Sequence, residues 1–260
     1  MKTGSFEFPI APQFVDFQSR IKLSHLTDLI LTASGYNADE NGFGIRHLHR
    51  LGATWVLSRF ALEMDYFPKQ YEKIFIETWV QEVHTLNTIR NYRVYNEQGE
   101  VIGNATSVWV MINLETRRPM ELKLLEGIHD FATLQPSGID RPLKLDAVED
   151  GLIDEFSIKY TDIDINQHVN TVHYLDWMVN SFTLDEHKAN SIHRIDVNFM
   201  NEVVYADQVT VYKTEIEQDD FRFEVKANNK TAFRGRMVTK SAPYPPERGI
   251  LVQESNFLNL

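Results

Sequence analysis

Leu62-Glu63-Met64-Asp65-Tyr66-Phe67, with Tyr71-Glu72-Lys73-Ile74 after it, is echoed by Val197-Asn198-Phe199-Met200-Asn201-Glu202 and Ala206-Asp207-Gln208-Val209. Phe67 to Glu202 and Glu72 to Asp207 are both steps of 135 positions, so the offset is constant across the two pieces. Each piece is a β-rich run, a turn and the start of a second β-rich run, which points to a duplicated unit. Upstream of the first copy, Leu23, Leu26, Leu29, Ile30 and Ala33 recur at helical spacing, with Gly35 as the expected stop. Downstream, runs over 55–64, 73–82, 88–95 and 101–113 are rich in Val, Ile, Thr, Tyr, Phe and Trp and predict four antiparallel strands in a meander. The same order returns after the aperiodic connection 115–150: a short strand over 155–160, a helix over 171–183, then strands over 192–199, 208–217, 221–227 and 231–239. An amphipathic helix needs a sheet to cover its apolar face. The expected architecture is therefore α+β, two copies of an antiparallel sheet wrapped around a helix, divided as 1–135 and 136–260.

Composition narrows the chemistry. At 260 residues and 43% hydrophobic, the chain holds a real core, which excludes a disordered or fibrous class. No cysteine is present, which removes disulfides, thiolate zinc sites and Cys nucleophiles. With 26 Lys and Arg against 37 Asp and Glu, the net charge of −11 opposes nucleic acid and anionic membrane partners. Neither a membrane-spanning apolar run nor an apolar leader is present, so a cytoplasmic chain with no membrane span is expected.

The chemistry is concentrated in Tyr160-Thr161-Asp162-Ile163-Asp164-Ile165-Asn166-Gln167-His168-Val169-Asn170, just ahead of the second predicted helix. In an extended loop Asp164, Asn166 and His168 alternate with Ile165 and Gln167 and project to one side. A helix start offers unpaired backbone N–H groups and partial positive charge, which suits a carbonyl oxygen turning into an oxyanion. Asn166 adds an amide donor, and His168 a proton carrier near neutral pH. The same residues also suit plainer work. Asp and Asn ahead of a helix are ordinary caps, and a lone His in such a loop is commonly a hydrogen-bonded surface residue.

Asp164-Ile165-Asn166-Gln167-His168-Val169-Asn170 resembles the Asp-x-Asn-x-His-x-Asn signature of the fatty acyl-ACP thioesterases of plants and bacteria. Further segments resemble the family in the same order: Asn41-Gly42-Phe43-Gly44, Trp55-Val56-Leu57-Ser58-Arg59, Glu77-Thr78-Trp79-Val80, Ala105-Thr106-Ser107-Val108-Trp109-Val110-Met111-Ile112-Asn113 and Thr116-Arg117-Arg118-Pro119. The resemblance covers most of the chain and implies two tandem hotdog domains, with Asp164, Asn166 and His168 catalytic in the second. The family's Glu-Cys pair falls on Glu202 and Val203, so a Cys–His nucleophile is excluded and a water route remains. In that route Glu202, with His168, takes a proton from water, Asn166 and the helix start polarise the carbonyl, and Asp164 orients its neighbours. The base stays open among Glu202, His168 and Asp164. Read alone, Glu202 also fits an exposed strand-end carboxylate.

The implied activity is hydrolysis of fatty acyl-[acyl carrier protein] to free fatty acid and holo-ACP, with no metal and no cofactor. An acyl-CoA hydrolase and a silent acyl-binding module are the alternatives. The implied partner is acyl carrier protein, and either a monomer or a homodimer serves. That carrier is acidic in the family's biology, so docking calls for a local basic patch, with Arg117, Arg118, Lys123, Arg222, Arg234 and Arg236 as candidates. Solvated charges are the plainer reading of each. The first domain is expected to hold the acyl chain in a tunnel between Leu26, Leu29, Ile30 and Ala33 and strands bearing Trp55, Leu57, Phe60, Val108 and Val110, unless those residues fill a solid core. His25, His47 and His49 lack a carboxylate at metal spacing, and Trp55, Trp79, Trp109 and Trp177 read as core.

Overall fold

A computed structural model describes residues 2–148 and 150–241; the remainder of the expected second domain, beyond Ser241, lies outside the described residues. Ten strands, β1 (Thr3–Pro9), β2 (Ala53–Met64), β3 (Lys73–Val83), β4 (Asn87–Tyr95), β5 (Val101–Asn113), β6 (Leu152–Ser157), β7 (Asn190–Phe199), β8 (Gln208–Glu217), β9 (Asp220–Ala227) and β10 (Lys230–Ser241), form one sheet. Its order is β1-β3-β4-β5-β2-β7-β10-β9-β8-β6. Read from the two edges inward, the order pairs β1 with β6, β3 with β8, β4 with β9, β5 with β10 and β2 with β7. The two halves are joined antiparallel at β2 and β7, where Ala61 faces Asp196. Those two residues are themselves 135 apart, so the pseudo-twofold axis that relates the halves passes through this pair.

The expected meander is corrected in one respect: β2 does not pair with β3 but crosses to lie beside β5. This places β2 and its counterpart β7 at the centre, where each buries both edges, and leaves β1 and β6 outside. Strand β1 was not expected; Pro9 ends it at the open edge, where a missing N–H is tolerated.

Helix α1 (Leu23–Glu40) and helix α3 (Thr171–Asn180) cover one face of the sheet and touch each other. Gly35 does not stop α1, which continues a further turn and a half; α2 (Ile45–Arg50) follows it. The second predicted helix ends earlier than expected and is followed by α4 (Leu184–Ala189), whose start is a capping box between Thr183 and Glu186. Leu26, Ile30 and Ala33 are fully buried in one core with Phe60, Leu62, Ile74 and Tyr92. Each leucine and isoleucine among them stabilises the fold by about 1.5–3 kcal/mol relative to exposure. In the second half Tyr174 stacks on Phe233 with ring centroids 5.0 Å apart. Gly235 lets Met178 descend onto β10, because a Cβ there would lie 2.6 Å from the methionine sulfur.

The aperiodic connection is ordered by side chains of the sheet's other face. Trp79 Nε1 donates to the Gln135 carbonyl at 2.8 Å, and the N–H groups of Leu143, Leu145 and Val148 donate to Asp196, Asn198 and Glu224 at 3.0, 2.9 and 2.8 Å. Buried polar side chains of the strands thus satisfy backbone N–H groups of residues 143–148, which have no secondary structure of their own. Asp196 also holds Arg194, which reaches Glu63 of β2 at 2.5 Å, so the seam between the halves carries a buried, fully paired charge network.

Candidate active site

The loop before α3 is a closed turn rather than the extended segment expected. The Asp164 carboxylate accepts the backbone N–H of Asn166 at 2.7 Å and of His168 at 3.3 Å, and its second oxygen accepts Asn166 Nδ2 at 3.2 Å. The Asp164 N–H donates to the His168 carbonyl at 2.8 Å, and Gln167 takes the left-handed conformation at φ 66°. Both Asp164 oxygens are occupied in shaping the loop, which accounts for an aspartate at this position. Ile165 is 94% exposed at the tip, so the loop faces solvent.

The loop is tied to the segment after β7 by the Val169 N–H, which donates to the Val203 carbonyl at 2.8 Å. That bond sets Glu202 beside the loop, with His168 Nε2 3.2 Å from Glu202 Oε2. The other Glu202 oxygen is paired with Arg117 Nη2. Arg117 belongs to the turn after β5, where it too is left-handed at φ 56°. The constellation is therefore completed across the two halves, with three residues from the loop, one from the end of β7 and one from the end of β5. The sequence signature supplied the first four; Arg117 was expected only as a docking charge, because nothing local to residues 115–119 signals a partner so distant in the chain.

Burial first, and the positive charge of Arg117 second, hold His168 below the usual imidazole pKa of about 6.5, with Asp164 opposing both. The imidazole is thus neutral at neutral pH. An imidazole that donates from Nε2 to Glu202 leaves Nδ1 as an acceptor with no partner among the described residues. The helix start is less open than expected: the Asn170 side chain caps α3 by accepting the Val172 N–H at 3.3 Å, and its carbonyl accepts the His173 N–H. The second N–H of Asn166 is an amide donor left over by the turn.

The same loop is built a second time, at residues 16–20 ahead of α1. The Asp16 carboxylate accepts the N–H groups of Gln18 at 2.8 Å and Arg20 at 3.0 Å. The Asp16 N–H donates to the Arg20 carbonyl at 2.7 Å, Ser19 is left-handed at φ 61°, and the Ile21 N–H donates to the Pro68 carbonyl at 2.8 Å. Asp16, Gln18, Arg20 and Phe67 hence stand where Asp164, Asn166, His168 and Glu202 stand in the second half. Arg20 is ion-paired with Asp16 at 3.0 Å, and Phe67 is buried, so this copy offers no proton acceptor of the His–Glu kind. In the sequence this counterpart reads as Asp-x-Gln-x-Arg, Asp16 to Arg20, immediately ahead of the first helix.

Two cavities flank the helices. One, of about 270 Å³, is lined by Leu31, Ser34, Gly35, Trp55, Trp109 and Phe131 among others. It lies against the second half of α1, not against the face of Leu26, Ile30 and Ala33, which is solid core as the plainer reading had it. Trp55 and Trp109 are wall residues of this cavity, a correction to their reading as core. Arg59 faces Asn198 across the seam, the last pair of the β2–β7 register on the side of Glu202. The second cavity, of about 530 Å³, lies at the start of α1 against α3 and α4. Of the docking candidates, Arg234 and Arg236 are tied to Glu224 at 3.2 Å and Asp220 at 2.8 Å within the sheet, and Lys123 is paired with Glu121. Arg118 keeps an exposed side chain outside any ion pair of the described residues.

A sheet of two equivalent halves, each wrapped on its helix and sharing one polar loop site, defines a tandem hotdog protein of α+β class. Residues 3–125 match the family model of the acyl-ACP thioesterase N-terminal domain and residues 145–242 that of the C-terminal domain, and the chain belongs to the acyl-ACP thioesterase family. An acyl-ACP thioesterase from Bacteroides thetaiotaomicron superimposes with a TM-score of 0.87 at 35% identity, over 92% of this chain and 98% of that one. The 12:0-ACP thioesterase of Umbellularia californica shares the fold, with a TM-score of 0.83 at 17% identity over 93% and 98% of the two chains. The oleoyl-acyl carrier protein thioesterase of Coriandrum sativum is 26% identical over 218 residues, which are 75% of this chain and 58% of the coriander protein. No helix of the described residues is long and apolar enough to cross a membrane.

Proposed function

We propose that this chain hydrolyses the thioester of a fatty acyl group borne by acyl carrier protein, releasing the fatty acid and the carrier thiol. The observation that carries this reading is the His168–Glu202 pair at 3.2 Å beside an asparagine pinned by Asp164. In this reading Glu202 fixes the tautomer of the imidazole by accepting from Nε2, and His168 Nδ1 takes a proton from water as the water oxygen attacks the thioester carbon. The free N–H of Asn166 stabilises the oxyanion, the C–S bond breaks, and the imidazolium returns its proton to the departing thiolate. Asp164 does not act as base, since both its oxygens accept loop donors; it is a positioning residue, and Arg117 another, holding Glu202. A thioester is already activated toward water, so no cofactor enters this route.

The two halves divide the work in this reading. The second, 136–260, carries the chemistry, and the first, 1–135, takes the acyl chain in the cavity of Leu31, Gly35, Trp55 and Trp109, where each methylene adds about 0.8 kcal/mol. Arg118, exposed on the turn that supplies Arg117, is the docking residue for the acidic carrier. A carrier charged during fatty acid synthesis is the support for a cytoplasmic setting, and a site assembled from both halves of one chain is the support for a functional monomer. The test is release of fatty acid from matched acyl-ACP and acyl-CoA series of several chain lengths. Turnover with higher kcat/KM on the ACP series is expected. No release from any acyl-ACP overturns the reading, and equal turnover of both series overturns the carrier assignment.

A further inference from the structure

We propose that the larger cavity, at the start of α1, is a second and non-hydrolytic binding site for an acylated pantetheine arm, a neutral chain of amides ending in a thioester. The inference rests on the reading of His168 and Glu202 as the thioester-cleaving pair, because it takes the ligand class from the equivalent place in the other half.

Three observations carry it. First, the loop at 16–20 repeats the backbone of the loop at 164–168 bond for bond, and Asp16, Phe17 and Arg20 of that loop line the cavity. Second, two of its wall residues stand at places equivalent to wall residues of the smaller cavity: Val179 of α3 where Leu31 of α1 stands, and Asn190 of β7 where Trp55 of β2 stands. A ligand arm held at the His168 loop therefore has its equivalent place at the Arg20 loop, on the wall of this cavity. Third, Ser24, 3% exposed, lines the cavity with a hydroxyl that has no hydrogen-bond partner among the described residues, and His25 Nδ1 beside it is in the same condition. Buried polar atoms of this kind are satisfied when something polar arrives.

Charge selects the class of ligand. Asp16, Asp162 and Asp176 face the cavity together with Arg20 and Lys22, and Arg20 is already neutralised by Asp16, while His25, His173 and His187 add imidazole nitrogens. No excess of positive charge favours a fatty carboxylate, and the mixture of acceptors, hydroxyl and imidazoles suits the N–H and C=O groups of amides. Phe17, Trp177 and Leu184 provide apolar contact for the first methylenes of the acyl group. With a paired guanidinium in the place of His168 and a phenyl ring in the place of Glu202, this loop has no counterpart of the His168–Glu202 pair, so a thioester held here stays intact.

The probe is S-octylpantetheine, whose thioether resists hydrolysis, titrated calorimetrically onto the full chain. Two sites per chain are expected. Leu184→Arg, at an exposed position on the rim, and separately Ser191→Trp, on the wall, should each weaken one site at least about tenfold and leave kcat on octanoyl-ACP within about twofold of wild type. A single site in a preparation that turns over octanoyl-ACP overturns the inference and leaves the proposed function standing. A preparation without turnover strikes the proposed function instead. Displacement of the probe from the second site by free octanoate at equal concentration would make it a fatty acid site and also overturn the assignment.

Discussion

The loops at 16–20 and 164–168 have one backbone and two chemistries. Each is closed by an aspartate that accepts two N–H groups, each has a left-handed residue in its fourth place, and each is tied to the segment after the matching central strand. They differ in Gln18 for Asn166, Arg20 for His168 and Phe67 for Glu202. The frame of a site is thus distinct from its reactivity: the aspartate builds the turn in both, and the side chains set on the turn decide whether a proton acceptor is present. The helices that follow differ as well, 18 residues in α1 against 10 in α3. The extra length of α1 carries Ser34, Gly35 and Ala38 to the wall of the smaller cavity, so that cavity is walled by a part of α1 with no counterpart in α3.

The comparison breaks most sharply at His168. Since the first loop accommodates an arginine in this place, His168→Arg should fold with little change in melting temperature while kcat on acyl-ACP drops about 10²–10⁴-fold. Retention of activity within a few-fold, measured by fatty acid release, would remove His168 as the proton carrier. Glu202→Phe, which also copies the first half, should fall by a similar factor because it deprives His168 of its acceptor and Arg117 of its partner.

Next in size is the contrast between two positions on α1. Ala33 is fully buried in the core, so Ala33→Phe should destabilise by about 1–3 kcal/mol through overpacking and lower activity on every chain length alike. A Cβ at Gly35 meets nothing within 4 Å, and Gly35 lines the cavity. Gly35→Leu should stabilise the helix by up to about 1 kcal/mol and move the preferred acyl chain to shorter lengths. Chain-length profiles of kcat/KM alongside thermal unfolding separate the two; an unchanged profile for Gly35→Leu would detach this cavity from the acyl chain.

A smaller effect is expected from removing each aspartate. Asp16→Ala should lower stability by about 1–3 kcal/mol, the penalty for loop donors and Arg20 left without an acceptor, with turnover close to wild type. Asp164→Ala should lower turnover more than stability. Equal effects of the two on turnover would show that the halves are not divided in function.

The finest test is the pH profile. Arg117 helps hold His168 below its ordinary pKa, and the neutral imidazole is the active form in the proposed route, so kcat/KM should fall as pH drops through a value below about 6.5. Arg117→Ala removes the cationic neighbour and leaves Glu202 free to favour the imidazolium, and both changes raise the pKa. The acid limb should therefore move to higher pH; a limb that stays in place or moves down would break the link between Arg117 and His168.

Much of this was legible in the chain itself. The strands over 101–113 and 208–217 came out as drawn, because alternation and β-branched composition are local properties that survive any tertiary context. The offset of 135 revealed the duplication, and the Asp-x-Asn-x-His run located the loop, since an aspartate that accepts backbone N–H groups two and four residues on acts within a few residues of chain. Gly35 misled because a glycine signals a helix stop only where the next turn lacks contacts, and here the helix is held past it by the sheet and by the cavity wall. What only the tertiary structure decided were the meetings of distant segments: β2 beside β5 and β7, Arg117 on Glu202, the connection pinned by Asp196, Asn198 and Glu224, and the placement of the two cavities. Periodicity fixes which face of an element is apolar, but not which other element covers it. That choice is made by strand register and by the packing of whole faces, which are properties of pairs of segments and are written in neither one alone.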